Sequence, residues 1–363
     1  MLEARAAVQK LRSYHPPLAG RQGLRLDFNE NTIGCSLRVL ARMRMLDAEA
    51  LARYPDREPV EREVARFLGL DAAQLLLTNG VDEAIHLLCS TYLEAGDEAI
   101  IVVPTFAMYS LFAHAAGAQI VEVRGGADFV FPAEELLAKI SERTRLIAVA
   151  NPNNPTGAAV SEEILFQIAE AAPQAALLVD EAYFEFHGET LLSRPARLSN
   201  IFVARTFSKA YGLAGLRIGA LVGDAEQMRA VRRVSSPYNV NAVALACLPD
   251  ALGDQAFIQQ YVSEVRASRV RLERALEAHG IQFWPSQANF LLARVGAAAS
   301  SFVEHMRRRG VLVRNRSLDH GCEGCVRITL GPREHADRLL TALQETCEAL
   351  GLLVPPGQGA SRP

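Results

Sequence analysis

The 363-residue sequence has no strong charge of either sign and no long apolar run. Its formal net charge is −3 and its isoelectric point is near 6.3, which gives no electrostatic reason to bind nucleic acid. No stretch approaches the roughly eighteen apolar residues of a membrane-spanning helix, and the first residues, with Glu3 among them, lack the apolar core of a signal peptide. We therefore expect a cytoplasmic protein without nucleic-acid or membrane partners.

Cysteine is also sparse, with six residues scattered along the chain. Cys322 and Cys325 form a Cys-x-x-Cys pair, but a structural zinc site needs two further ligands, and the sequence has no second pair or nearby paired histidine. We therefore predict no metal. The pair lies in a glycine-rich turn before a strand instead of opening a helix, so free thiols are favoured over a redox disulfide.

What the sequence does have is a regular alternation of apolar, strand-like runs with helical segments. The predicted strands cover residues 99–103, 146–150, 177–180, 201–205 and 220–222. Helical segments such as 161–172, which begins with Ser-x-Glu capping chemistry, lie between them. This order predicts an α/β fold with a mostly parallel sheet flanked by helices, whose ligands bind beyond the carboxyl ends of the strands.

The length exceeds that of a usual single domain, so two domains sharing one cleft are expected. After an amphipathic helix over about 255–279, a second set of strands is predicted near 281–284, 290–293, 311–314 and 326–329. We predict a large domain over 46–250. A smaller α/β domain with an N-terminal arm would comprise 1–45 and 251–355. The tail at 356–363 is rich in proline, glycine and serine and is predicted to be disordered.

The most informative lysine, Lys209, lies in Ala-Arg-Thr-Phe-Ser-Lys-Ala-Tyr-Gly-Leu-Ala-Gly-Leu-Arg over residues 204–217. A partly desolvated lysine beside other cations loses its proton readily and attacks an aldehyde, so Lys209 could form a Schiff base with pyridoxal phosphate. Thr206, Ser208 and Arg217 supply hydroxyls and a cation that suit a phosphate dianion. Taken alone, a lysine is more often a solvated surface charge.

Three polar residues follow predicted strands upstream of this segment. Asp180 ends the apolar run 175–179 and could pair with the protonated ring nitrogen of pyridoxal phosphate, although an isolated aspartate there is more often a helix cap. Tyr183 could donate its hydroxyl to the cofactor's ring oxygen, or be an interior aromatic. Asn154 lies in the proline-fixed loop 151–157 and could present its amide to the same oxygen, although such loops are usually plain surface turns.

The order of these motifs resembles that of the fold-type I pyridoxal-phosphate aminotransferases, and within them the histidinol-phosphate aminotransferases, over nearly the whole chain. Further matching segments are Asp27-Phe28-Asn29-Glu30-Asn31, Arg53-Tyr54-Pro55-Asp56, Asn79-Gly80-Val81-Asp82-Glu83, Pro104-Thr105-Phe106-Ala107-Met108-Tyr109, Ser236-Pro237-Tyr238, Asn289-Phe290-Leu291-Leu292 and Val326-Arg327-Ile328-Thr329-Leu330-Gly331. The resemblance implies a fold-type I pyridoxal-phosphate transferase that acts as a homodimer. One departure is Thr32, where the family usually has proline, and it bears on the substrate more than on the chemistry.

By this resemblance, Lys209 is the Schiff-base lysine and moves a proton, while Asp180 holds the pyridine nitrogen. Tyr183 and Asn154 bind the ring oxygen. Phe106 stacks on the ring, where many relatives have tyrosine. The phosphate is bound by side chains and by backbone amides at a helix start, which together are Thr206, Ser208, Arg217, Gly80, Val81 and Asp82.

The resemblance also assigns residues to a dimer contact and to the substrate. Tyr54 would reach the neighbouring subunit's cofactor phosphate, so a monomer would have an incomplete site; a plain turn is the alternative. Arg327, Arg314 and Tyr14 are implied to bind the substrate, together with Asn154. Two arginines favour a dianion over a single carboxylate.

The implied reaction is transamination of L-histidinol phosphate with 2-oxoglutarate in histidine biosynthesis. Two alternatives on the same scaffold stay open: an aromatic amino acid aminotransferase, in which Arg327 binds a carboxylate, and a threonine-phosphate decarboxylase. A transcription regulator's effector domain would need a helix-turn-helix, for which we expect no room before Asp27.

Overall fold

The computed structural model describes residues 2–11, 20–193 and 198–352. Tyr14 and the tail predicted at 356–363 lie outside the described residues. Within the described residues, no helix is both long enough and apolar enough to cross a membrane.

Strands and helices alternate through the middle of the chain. The strands are β1 (Leu24–Arg25), β2 (Leu75–Thr78), β3 (Glu98–Val103), β4 (Gln119–Arg124), β5 (Thr144–Ala150), β6 (Ala176–Asp180), β7 (Ile201–Thr206), β8 (Gly219–Val222), β9 (Gln282–Phe283), β10 (Phe290–Arg294), β11 (Val311–Leu312), β12 (Arg314–Asn315) and β13 (Cys325–Thr329). The helices are α1 (Ala6–Gln9), α2 (Leu37–Arg44), α3 (Ala48–Ala52), α4 (Glu58–Leu68), α5 (Gly80–Tyr92), α6 (Met108–Ala116), α7 (Ala133–Lys139), α8 (Glu162–Ala171), α9 (Phe184–His187), α10 (Ala225–Val234), α11 (Ala242–Leu252), α12 (Gln255–Ala278), α13 (Ala299–Arg308) and α14 (Arg333–Leu350).

The larger sheet has the strand order β2-β8-β7-β6-β5-β3-β4. Neighbouring strands pair in parallel, except that β8 runs antiparallel to both β2 and β7. Every residue of β6 is buried, as is typical of a parallel strand covered by helices on both faces. The predicted α/β fold with a mostly parallel sheet is therefore confirmed.

A second, antiparallel sheet has the order β12-β13-β10-β9. The N-terminal arm forms a separate two-stranded sheet, in which β1 pairs in parallel with β11 and the N–H of Leu26 donates to the carbonyl of Leu312 at 2.9 Å. The carbonyl of Leu26 in turn accepts from the N–H of Thr329 at 2.9 Å. The arm thereby holds residues 27–29 beside β13. The domain boundaries given above stay a prediction.

The two sheets share one apolar core. Val179 and Val203 of the larger sheet belong to the same buried cluster as Phe290 and Ile328 of the smaller one. Tyr183 lies at the junction, where its ring meets that of Phe290 edge-on at 5.2 Å between centroids. Packed side chains therefore join the two sheets next to Tyr183.

Two details of the predicted elements are wrong. The single strand expected at 311–314 is split, because β11 pairs with the arm whereas β12 pairs with β13, and the buried Val313 lies between them. The strands β1, β2 and β4 are absent from the prediction. β4 is an edge strand with only Val123 fully buried, so its sequence lacks the continuous apolar run that marks the inner strands.

Candidate active site

The predicted site residues converge because three parallel strands end side by side. β6 pairs with β5 on one side and with β7 on the other, and Asp180 lies level with Ala150 and Ala204. Asn154 follows β5 and Lys209 follows β7, so both emerge at the edge that Asp180 occupies. This is the edge at which ligands of open α/β sheets bind.

Lys209 is half-buried, and its Nζ donates to the backbone carbonyl of Phe28 at 3.2 Å. Burial lowers the pKa of Lys209 to about 8, and the positive charges of Arg327 and Arg217 lower it further, although nearby carboxylates oppose them. An appreciable fraction of the amine is therefore neutral near pH 7 to 8, which is the form that attacks a carbonyl.

Asp180 is buried, and its carboxylate accepts two hydrogen bonds. One comes from the hydroxyl of Tyr109 at 2.6 Å and the other from the N–H of Ala182 at 3.0 Å. Burial raises the pKa of Asp180 to about 6, while these two hydrogen bonds act to lower it. The carboxylate is therefore mostly ionised at neutral pH, in spite of being shielded from solvent.

Tyr109 is a site residue to which the sequence analysis assigns no role. It is fully buried at the start of α6, and burial with the nearby charge of Asp180 holds its pKa well above the usual value, so it stays a proton donor. Its ring meets that of Phe106 edge-on at 5.8 Å between centroids. Because its partner Asp180 lies 71 positions away in the chain, no local sequence signal marks this contact.

Tyr183 is buried, and its hydroxyl accepts a hydrogen bond from Nδ2 of Asn29 at 2.9 Å. Asn29 is fixed in turn, because its Oδ1 accepts from the hydroxyl of Thr329 at 3.0 Å. Burial raises the pKa of Tyr183, and Arg327 and the Asn29 hydrogen bond oppose this. The arm that carries Asn29 therefore orients the tyrosine, a contribution that the motif order alone did not assign.

Arg327 and Asn154 contact each other, although the sequence analysis assigns them to different ligands. Nη1 of Arg327 donates to Oδ1 of Asn154, and its Nη2 donates to the carbonyl of Asp27 at 2.6 Å. Burial lowers the pKa of Arg327 to about 10, and the charges of Arg316 and Arg314 add to the effect. Its Nε has no hydrogen-bond partner among the described residues. A buried, incompletely bonded guanidinium next to other cations is stabilised by an anion.

Arg314 and Arg316 lie beside Arg327 in a cavity of about 590 Å³. Arg314 is directly opposite Arg327 in the β12–β13 ladder, and its guanidinium lies 5.4 Å from the ring centre of Phe28. Arg316, which the sequence analysis does not assign, pairs with Asp319. The cavity lining also includes Lys209, Tyr183, Asn154, Phe106, Thr105, Ala107, Ser300 and residues 315–319. Three arginines and the reactive lysine thus open onto one space.

The start of α5 forms a second cationic corner. Gly80 has a φ of +76°, and a Cβ there would lie 2.7 Å from Nη2 of Arg217. Only glycine lets this helix N-terminus approach the guanidinium so closely. Nη2 of Arg217 donates to the carboxylate of Asp82 at 3.0 Å, with both side chains roughly half-exposed. Val81, which lies between Gly80 and Asp82 in the sequence, is buried.

Two buried hydroxyls adjoin this corner. Thr206 ends β7 and Ser208 follows it by two residues, and the N–H of Ser208 donates to Oγ1 of Thr206 at 3.1 Å. Gly219 is level with Thr206 in the β7–β8 ladder, and a Cβ on Gly219 would lie 3.0 Å from the carbonyl carbon of Gly80. The helix start, Thr206 and Arg217 therefore lie close together. That this group of residues binds a phosphate stays a prediction.

Among the predicted site residues that the structure describes, Tyr54 is the one that lies apart from the others. It is 79% exposed and stacks on the exposed Tyr238, with ring centroids 4.4 Å apart. Leu51 and Met45 are exposed nearby in the sequence, at 61% and 74%. Stacked aromatic rings that are this exposed are typical of contact surfaces.

The sequence matches the family described as aminotransferase class I and II over residues 21–343. The chain is 36% identical over 296 residues to a histidinol-phosphate aminotransferase of Caldanaerobacter subterraneus subsp. tengcongensis, an alignment that covers 80% of this chain and 84% of the relative. It is also 36% identical over 333 residues to a histidinol-phosphate aminotransferase of Geobacillus sp. (strain WCH70), with 89% of each chain covered.

Solved structures agree with the sequence relatives. The fold is similar to that of a histidinol-phosphate aminotransferase from Sinorhizobium meliloti in complex with pyridoxal-5'-phosphate, with a TM-score of 0.86 and 26% sequence identity. The match covers 96% of this chain and 99% of the other. The similarity therefore extends over both sheets and is not restricted to the parallel one.

Proposed function

The chain belongs to the aminotransferase class I and II family and is a pyridoxal-phosphate-dependent aminotransferase, and from this premise we propose that it transfers the amino group of L-histidinol phosphate to 2-oxoglutarate. The observation that carries the choice of donor is the set of arginines in the cavity that contains Lys209. Histidine biosynthesis is the corresponding pathway.

The residues present fit the cofactor. The corner formed by Gly80 and Arg217 offers helix N–H groups and a guanidinium to a phosphate, and the absence of a Cβ keeps it open. A buried, ionised Asp180 suits a protonated pyridine nitrogen, and Tyr183 and Asn154 suit the ring oxygen. When bound, pyridoxal phosphate supplies an electron-withdrawing ring that stabilises negative charge on the substrate's alpha carbon and carries the amino group.

Lys209 is positioned to move the proton of the alpha carbon. Because its pKa is lowered to about 8, both the amine and the ammonium forms are populated near neutral pH. Nζ can therefore accept the alpha-carbon proton as the amine and give it up again as the ammonium within the same half-reaction. Its hydrogen bond to the carbonyl of Phe28 orients Nζ toward the cavity between the two sheets.

Asp180 holds the proton on the ring nitrogen as an electrostatic partner. Two donors, Tyr109 and Ala182, stabilise its ionised form against the effect of burial. The low-dielectric surroundings strengthen the attraction between this carboxylate and a pyridinium. Phe106, which lines the cavity, offers an aromatic face to the ring.

The charges of the cavity favour a phosphate on the substrate. Among the described residues, Asp27 pairs with Arg21 and Asp319 pairs with Arg316, whereas Arg314 and Arg327 have no carboxylate partner. A phosphate monoester carries about −1.5 to −2 charges near neutral pH and would balance both arginines. A single carboxylate, as in an aromatic amino acid, would leave one of them without a counter-charge.

The proposal includes a homodimer in which Tyr54 completes the neighbouring site. Its support is the exposed, stacked pair of Tyr54 and Tyr238, together with the exposed apolar residues that precede them. Burial against a second copy would remove these rings from water, a gain of about 25 cal/mol per Å² of apolar surface.

The test is the absorbance spectrum of the cofactor-loaded protein before and after L-histidinol phosphate is added without a keto acid. We expect conversion of the cofactor from its aldehyde form to its amine form, and 2-oxoglutarate should restore the aldehyde form. Conversion by phenylalanine alone would identify an aromatic aminotransferase. Release of carbon dioxide from threonine phosphate would identify a decarboxylase.

A further inference from the structure

A turn over residues 316–325 connects the cavity to the buried cysteines. Three successive backbone hydrogen bonds each join residues three positions apart. The N–H of Asp319 donates to the carbonyl of Arg316 at 2.9 Å, and the N–H of Cys322 donates to the carbonyl of Asp319 at 3.0 Å. The N–H of Cys325 donates to the carbonyl of Cys322 at 2.8 Å. A fourth, from the N–H of Arg316 to the carbonyl of Cys325 at 2.9 Å, closes the turn. The position of the cysteines and that of Arg316 are therefore fixed by the same short ladder.

The two thiols share a small apolar pocket of their own. Cys322 and Cys325 are fully buried and pack with Phe129, Trp284 and Leu292. Residues joined by a hydrogen bond across three positions have Cα atoms within about 7 Å, which is the range a disulfide requires. Both are free thiols.

Arg294 faces this pair. It lies directly opposite Cys325 in the β10–β13 ladder, so the two side chains share one face of the sheet. Its guanidinium lies 5.1 Å from the ring centre of Trp284 and donates to the carbonyl of Gly321 at 3.1 Å. The thiol of Cys322 and the charge of Arg294 lower the pKa of Cys325, whereas the pKa of Cys322 is raised. Cys325 is therefore the nucleophile of the pair and Cys322 its resolving partner.

We propose that Cys322 and Cys325 form a reversible oxidation site, converted by a hydroperoxide into an intrachain disulfide that weakens anion binding in the arginine cavity. The thiolate of Cys325 attacks one peroxide oxygen, the O–O bond breaks, and hydroxide leaves to take up a proton. The sulfur of Cys322 then attacks the sulfenic sulfur of Cys325, and the hydroxyl leaves with the thiol proton as water. The two sulfurs lose two electrons, which the peroxide gains, and an external dithiol reverses the oxidation.

The link to the cavity follows from the strand geometry. Cys325 and Arg327 are two residues apart on β13 and point to the same face. The carbonyl of Cys325 anchors Arg316, and the N–H of Cys322 anchors Asp319. Formation of the S–S bond moves the backbone groups of Cys322 and Cys325. Because these groups hold Arg316 and Asp319, the guanidinium of Arg316 moves with them. This part of the inference rests on the proposed role of the arginines in binding phosphate.

The experiment compares the wild-type holoenzyme with Cys322→Ser, Cys325→Ser and a control, Cys347→Ser, which changes another fully buried cysteine. Each reduced protein is exposed to hydrogen peroxide, its remaining thiols are alkylated, and the peptides are weighed. Affinity for inorganic phosphate is measured by calorimetry before and after oxidation. We expect a disulfide between Cys322 and Cys325 in the wild type and the control, and phosphate binding that is about two- to thirtyfold weaker after oxidation.

Two variants separate the steps of the proposed oxidation. Cys322→Ser should stop at a sulfenic acid on Cys325, which dimedone traps, whereas Cys325→Ser should show neither product at this pair. A pair that reacts no faster than Cys347 would refute the oxidation site. A disulfide without any change in phosphate affinity would refute the coupling. If phosphate binds neither the reduced nor the oxidised protein, the proposed role of the arginines is refuted as well. The peptide masses would still show whether the disulfide forms.

Discussion

The two sides of the cavity are built in different ways. Asp180 ends β6 and Lys209 follows the adjacent parallel strand β7, and both strands are buried at almost every position. Arg314 and Arg327 lie on short antiparallel strands, and Arg316 lies in a turn. The groups proposed for the chemistry are thus fixed by the central sheet, whereas the groups proposed for substrate choice depend on an arm and a turn. Changes to the second side should alter which substrate is used before they alter the chemistry.

Electrostatics nevertheless join the two sides. The charge of Arg327 is the largest single contribution, after burial, to the lowered pKa of Lys209. An anion bound at the arginines would offset that charge and raise the pKa of the amine. The position of a side chain and its charge can therefore be changed separately on the two sides of the cavity.

Lys209→Ala should have the largest effect. It removes the amine that we assign to the alpha-carbon proton, and general acid–base groups contribute about 10²–10⁴-fold to rate. Multiple turnovers with any amino donor should cease, while binding of inorganic phosphate should be retained. The control is Lys139→Ala, on an exposed lysine at the end of α7. Normal steady-state turnover by Lys209→Ala would show that Lys209 is not the group that moves the alpha-carbon proton.

Arg327→Gln should come next. It removes a charge-assisted partner for the substrate anion, worth about 1.5–3 kcal/mol, so kcat/KM for a phosphate-bearing donor should fall roughly tenfold to a hundredfold. Because Arg327 lowers the pKa of Lys209, the variant should also raise that pKa and move the limb of the kcat/KM profile that reports it to higher pH.

The control for this variant is Arg338→Gln, on an exposed arginine of α14. Thermal unfolding would check that the hydrogen bonds of Arg327 to Asp27 and Asn154 are not needed for folding. An equal loss with phosphate-bearing and carboxylate donors would mean that Arg327 does not select the phosphate.

The same contrast explains what the sequence could predict. Asn154, Asp180 and Lys209 follow apolar runs, and the rule that parallel strands end at one edge is enough to bring them together. The fold class follows from the same alternation of strands and helices. These features depend on local pattern, which the sequence contains directly.

The parts that could not be predicted depend on contacts between distant segments. Tyr109 reaches Asp180 across 71 positions, and Asn29 reaches Tyr183 across 154, so neither pairing has a local signal. The break between β11 and β12 arises because the arm pairs with one half of the run and β13 with the other. Arg316 was missed for the same reason, since its place in the cavity is set by the closure of its turn on Cys325.

Tyr109→Phe should have an intermediate effect, confined to the cofactor side. Losing the hydroxyl removes a hydrogen bond that lowers the pKa of Asp180, so that pKa should rise from about 6 by roughly one to two units. Asp180 is ionised above its pKa and neutral below it. The acidic limb of the kcat/KM profile should therefore move to higher pH, with activity lost first near pH 6 to 7.

Tyr211→Phe is the matched control for Tyr109→Phe, because Tyr211 is buried but packs against Phe207 instead of Asp180. The cofactor's absorbance should titrate at the shifted pH in Tyr109→Phe alone. An unshifted profile, with only a uniform loss of rate, would reduce Tyr109 to a packing residue.

Phe28→Leu should have the smallest effect, and it tests the boundary between the two sides. The carbonyl of Phe28 accepts from Lys209 and survives the substitution, whereas the ring lies beside Arg314 and is lost. A cation–π contact contributes about 0.5–1 kcal/mol, so phosphate affinity should weaken roughly two- to fivefold. The pH profile that reports Lys209 should stay in place. A shift of that pH profile at unchanged phosphate affinity would contradict this expectation. It would mean that the ring of Phe28 affects the pKa of Lys209 and does not support the substrate-binding arginines.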